Sequence, residues 1–243
     1  MSEHDHDDPN RAACAAELVK FLNEARQWRR AAAADPVLAV RRQRLRAFQS
    51  ARLARTHADL LANADSRQAA EFFLSDLYGP KDLSDRDAEV ERILPMMTSM
   101  LPVSGLRTLL LAVEVDALSE RLDAAMVHAL GERLDVELDE ASYASAYREV
   151  GERQARLEQI RLIGETGAAL DAVARKPLLR GLLKMMRGPA QAAGLGELHA
   201  FLFRGFEAFR SLRDTDAFLD TIVTREGALS LALFDGAETL TAA

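Results

Sequence analysis

Apolar residues in this chain fall at intervals of three, four and seven, and that rhythm narrows the fold more than any other feature. Leu38, Leu45, Leu53 and Leu60 recur at spacings of seven and eight, with Phe48 beside them. In a helix of 3.6 residues per turn, such residues form one stripe. The pattern returns in Leu18, Phe21, Leu22, Ala25 and Trp28, in Leu111, Val115, Leu118, Leu122 and Met126, and in Leu195, Leu198, Leu202, Phe206 and Phe209. Leu and Ala dominate while Val, Ile and Thr are scarce, so helix formers far outnumber residues suited to a pleated sheet. The expected fold class is all-α: about nine helices in a multi-helix bundle, with no β-sheet.

Start and stop signals divide the chain. Asp35-Pro36 places a cap residue before a proline at the first helical position, so one helix fills 11–34 and the next runs from Pro36 to about Asn63. Ser66 is expected to cap a helix at Arg67, with its hydroxyl accepting from a first-turn amide. Gly79-Pro80 ends that helix, and Ser84 with Asp87 opens another that Pro95 interrupts. Ser104 caps a helix from Gly105 to Leu130, closed by Gly131. Asp139 or Glu140 then opens one long helix to about Arg175, in which Gly164 and Gly167 mark a close approach by a neighbour. Lys176-Pro177 restarts a short helix from Leu178 to Arg187, ended by Gly188-Pro189. Helices over 195–212 and 216–234 follow, the last capped by Asp214 or Thr215. The expected organisation is an acidic tail over 1–10, a single helical domain over 11–236 with candidate lobes 11–131 and 132–236, and a frayed tail over 237–243.

The formal charge of −7 is unevenly spread: residues 11–60 carry eleven Lys/Arg against four Asp/Glu, and the rest of the chain is acidic. A basic amino-terminal third can be a patch for RNA or an anionic membrane, centred on the arginines of 26–55. It can equally be a set of arginines whose stems pack on the core and whose heads pair with the acidic body. Bulk acidity favours the second. The single cysteine, Cys14, allows no intramolecular disulfide. The acidic N-terminus lacks a signal-peptide pattern, and no apolar run approaches the roughly 18 residues that span a bilayer. These features predict a cytoplasmic protein.

The stretch Phe72-Phe73-Leu74-Ser75-Asp76-Leu77-Tyr78-Gly79-Pro80, followed by Arg86-Asp87 and Leu94-Pro95, resembles a family of uncharacterised bacterial proteins named for a Phe-Phe-Leu-Glu-Glu-Leu-Tyr (FFLEELY) motif. Ser75 departs from that motif, while Asp76 keeps its acid. The resemblance brings no assigned activity and therefore no catalytic residues to carry over. Within the stretch, Phe73 and Leu77 share one helix face, and Leu74 and Tyr78 another.

Few side chains offer chemistry. Asp82, Asp85 and Asp87 supply oxygens that a hard cation could use, although a charged first turn accounts for them more simply. His57 lies four after Leu53 and three before Leu60, on the buried side of its helix. His199 neighbours the aromatic ladder that contains Phe206. Either histidine, with aromatic walls, is the minimum for an axial haem ligand or a metal site. The expected helices carry no Glu-x-x-His pair, and His-Glu-x-x-His, Cys-x-x-Cys, phosphate-binding glycine loops and a Gly-x-Ser-x-Gly elbow are missing from the sequence.

The leading expectation is therefore a non-catalytic protein that binds a protein partner, a second copy of itself or an apolar small molecule. Phe73, Leu77, Tyr78, His57, His199 and Phe206 are its candidate ligand contacts, and no cofactor is implied. The alternative from another class is a metal- or haem-dependent helical enzyme using His57 or His199.

Overall fold

Asp35, Asp139 and Asp214 do what their positions in the sequence predict. Asp35 Oδ1 accepts from the Val37 amide at 2.8 Å, Asp139 Oδ1 from Ser142 at 2.7 Å and Asp214 Oδ1 from Ala217 at 2.9 Å. Each satisfies an orphan donor in a first helical turn. The computed structural model describes residues 9–73, 89, 92–95, 98, 103–176 and 178–240, with only the backbone of Leu198. Its helices are α1 (Pro9–Ala34), α2 (Pro36–Thr56), α3 (Ala58–Ala62), α4 (Arg67–Phe72), α5 (Val103–Leu130), α6 (Glu140–Val150), α7 (Arg153–Ala174), α8 (Leu179–Ala192), α9 (Gly196–Ser211) and α10 (Thr215–Phe234), with a 3-10 turn at Gly131–Asp135. Among the described residues the protein is all-α, with no strand.

There are eleven helical segments among the described residues, eight of them long, rather than about nine. The helix expected to run unbroken over 36–63 divides at His57, whose φ of −114° and ψ of 29° leave the helical region. The helix expected over 140–175 divides at Gly151 (φ 76°) and Glu152 (φ 37°). Two successive residues of positive φ break the helix there, and the Glu152 carboxylate accepts from Arg121 at 2.8 Å. Gly188-Pro189, expected to end α8, lies inside it. Pro189 removes only the bond to the carbonyl of Met185, a residue on the solvent side, where water can take that acceptor. Ser66 does not cap α4; its hydroxyl donates instead to the Leu60 carbonyl at 2.7 Å.

Helix α1 lies along α5, α7 packs against both α5 and α10, and α9 packs against α4, α7 and α8. A small buried cluster of Leu18, Leu22 and Val113 forms where α1 meets α5, and two larger ones form elsewhere. One joins Leu45, Met126, Leu130, Tyr143, Tyr147, Leu229 and Leu233. The other joins Phe72, Phe73, Phe206, Phe209, Phe218, Leu219 and Ile222. The second depends on small residues where helices meet. A Cβ on Gly164 would stand 2.9 Å from Val223 Cγ2, one on Gly167 would overlap the Leu219 side chain, and one on Gly205 would stand 2.7 Å from Phe72 Cζ. No helix among the described residues is long and apolar enough to cross a membrane.

Candidate functional site

Between the two larger clusters α7 presents Arg156, Gln159, Ile160, Ile163, Thr166, Gly167 and Leu170 to a chamber of about 200 Å³. Their spacing of three and four keeps them on one helix face. From Arg156 to Leu170 that face extends about 21 Å at 1.5 Å per residue. Opposite walls come from α2, α5, α6 and α10, with Leu60, Ala70 and Phe73 at one end.

The wall changes character along its length. At the Arg156 end it is polar. Gln159 Nε2 donates to Ser119 Oγ at 2.7 Å, and the Tyr147 hydroxyl and Ser230 Oγ share a hydrogen bond of 2.8 Å. Arg46 and Gln49 donate to Asp123 at 3.0 and 3.1 Å. Burial pushes the Tyr147 phenol above its ordinary range, against the opposing effect of Arg156. At the far end Ile163, Leu170, Phe73, Ala70 and Ile222 make the wall apolar.

Midway sits a buried triad. Arg52 Nη1 donates to Glu226 Oε1 and Oε2 at 2.5 and 2.6 Å. His57 Nε2 donates to Glu226 Oε1 at 3.0 Å. Burial raises the Glu226 carboxyl, but Arg52, together with the hydrogen bond from His57, outweighs it and holds the group below the usual carboxylate range. This orients the imidazole with its Nε2–H on Glu226 and leaves Nδ1 as the second ring nitrogen. That Nδ1 has no hydrogen-bond partner, nor do Arg156 Nη2 and Thr166 Oγ1, although all three atoms are buried.

Of the residues singled out in the sequence, His57 and Phe73 meet at this chamber. Phe206 shares the cluster that holds Phe73 but is not on the wall. His199 lies apart: its Nε2 donates to the Leu183 carbonyl at 2.7 Å, and its ring stacks on Phe203. The nitrogen most often used for a metal or haem is thus already engaged. Leu77, Tyr78, Asp82, Asp85 and Asp87 lie outside the described residues. No group of three or more His, Cys, Asp or Glu among the described residues could hold a metal ion.

Arg156, Glu226, Tyr147, Ser230 and Thr166 were not anticipated in the sequence. Arg156 carried one legible signal: it falls on the stripe of Ile160 and Ile163, where a solvated arginine has no reason to be.

A family profile for a domain of unknown function matches residues 28–240. The chain belongs to the DUF8198 family. The match spans α2 to α10 and takes in every wall of the chamber. Comparisons with curated proteins and with solved structures return no match. Membership of DUF8198 therefore places the chain among uncharacterised domains and assigns it no chemistry.

Proposed function

We propose that this protein is a non-catalytic binder of a small, largely apolar molecule held in the chamber between α2, α5, α7 and α10. The sequence leaves a protein partner and an apolar ligand both open, and the geometry favours the ligand. One observation carries the reading: the cavity is walled mainly by apolar side chains, yet three residues of that wall, His57, Arg156 and Thr166, each carry a buried polar atom with no partner among the described residues. Buried polar groups are ordinarily satisfied, and ligand sites combine apolar walls with a few convergent polar atoms. An apolar cavity of about 150 Å³ accepts benzene, so this one has room for slightly more.

The test is a thermal scan of the full chain with decanol, indole and 2-phenylethanol, repeated on Ala112→Phe, which fills part of the chamber. A ligand at 100 times its Kd adds about 2.7 kcal/mol, or roughly 5–10 °C in Tm for a domain of this size. The rise is expected in the wild type and not in the filled variant. An unchanged Tm throughout, or equal rises in both proteins, would count against the reading.

One observation favours the second class. His57, on the chamber wall, oriented by Glu226 through Nε2 and with Nδ1 unpartnered, has the arrangement of a metal-ligating or proton-transferring histidine. Stoichiometric metal by elemental analysis, or a visible absorption band on purified protein, would move the assignment there.

A further inference from the structure

Arg156 is 6% exposed and makes no ion pair among the described residues. The other two guanidiniums on the chamber wall are neutralised, Arg46 by Asp123 and Glu120 and Arg52 by Glu226. Arg156 has only the face of Tyr147, 4.7 Å from its Cζ, and a 3.5 Å contact with Gln159 Oε1 at the outer limit of hydrogen bonding. A guanidinium cannot shed its proton. Burying one without a counter-charge is costly, and a cation–π contact offsets only part of that cost. Nη2 is left as a buried donor with no acceptor among the described residues.

We propose that the chamber is built for a monocarboxylate with an apolar body: the carboxylate sits on Arg156, and the body lies along Ile160, Ile163 and Leu170 toward Phe73. This rests on the ligand-binding reading above and names the ligand's class. A carboxylate matches a guanidinium edge with two parallel hydrogen bonds. A dianion such as a phosphate monoester fits less well, because Arg156 is the only unpaired arginine among the described residues of the chamber wall. Asp116 and Asp123 stand on the same wall, each engaged by an arginine, and would oppose a second negative charge. The apolar end excludes a small hydrophilic acid, since its walls would be left in contact with water. An acyl chain and a single aromatic ring both satisfy these conditions.

Isothermal titration of the full chain with decanoate and decanol, and with phenylacetate and 2-phenylethanol, separates the possibilities. At least one acid is expected to bind about 30-fold or more tightly than its matching alcohol, the scale set by a buried charge pair. Decanoate alone showing the preference identifies an acyl chain; phenylacetate alone identifies a ring. Arg156→Gln is expected to abolish the preference while keeping alcohol binding. Should that variant fail to fold, the wild-type ratio of acid to alcohol still decides. Alcohols binding as well as acids, or a preference that survives Arg156→Gln, overturns the assignment and leaves the chamber reading intact. If none of the four binds, both fall.

Discussion

Glu120 is 1% exposed, yet its carboxylate accepts from three arginines: Arg42 at 2.5 Å, Arg46 at 2.7 Å and Arg29 at 3.0 Å. Burial raises its proton affinity, but the three guanidiniums outweigh that and hold the carboxyl below the ordinary range. Removing one partner from such a cluster leaves uncompensated buried charge, so Glu120→Ala should cost about 3–5 kcal/mol in urea unfolding. The sign of the pH dependence follows. A carboxyl with a depressed folded pKa contributes stability above its unfolded pKa of roughly 4.3, and loses it as pH falls through the folded value. Glu226 behaves alike. Tm should therefore stay level from pH 7 to about 5 and fall below about 4. A Glu120→Gln variant should show a shallower acid limb, and an identical limb would remove Glu120 from the account.

Glycines test the packing of the elements. Gly205 lets α9 approach Phe72, whose Cζ would stand 2.7 Å from an added Cβ, whereas a Cβ on Gly227 of α10 would meet nothing within 4 Å. Gly205→Ala should cost about 1–3 kcal/mol by overpacking, and Gly227→Ala should add about 0.5–1 kcal/mol by stiffening the unfolded chain. Denaturant midpoints check both, and two changes of the same sign would contradict the geometry. The same elements show what the sequence could reveal. Caps at Asp35, Asp139 and Asp214 were readable because each acts within three residues of itself. The close approach at Gly164 and Gly167 was readable because glycine inside a helix is costly without a reason. The breaks at His57 and Gly151-Glu152 were not, since each depends on what packs from across the bundle. Pro189 misled for the complementary reason: its lost acceptor, the Met185 carbonyl, lies on the solvent side, where water lowers the cost of keeping proline inside a helix. His57 declared itself by its spacing from Leu53 and Leu60. Arg156 declared only its place on the stripe of Ile160 and Ile163, because an arginine's burial and its missing counter-ion are facts about other helices.

At the scale of the whole molecule, the charge asymmetry has become architecture. The arginines of 26–55 that could have formed a nucleic-acid face turn into the acidic body: Arg29 to Asp116, Arg42 to Glu120, Arg46 to Asp123, Arg52 to Glu226 and Arg55 to Glu140. Arg41 pairs with Asp135 at 2.6 Å. Charges committed to carboxylates release few counter-ions when a polyanion arrives, and a protein contacting Z phosphates loses affinity with a log–log salt slope near −0.9Z. With a net charge of −7, the intact chain should pass a heparin column at about 50 mM salt with little retention. Any residual binding to a 20-base-pair duplex should show a slope shallower than about −2. A slope of −5 or steeper would mean that the basic third can leave its interior partners. In that case the ion pairs that frame the chamber would be a latch rather than a wall.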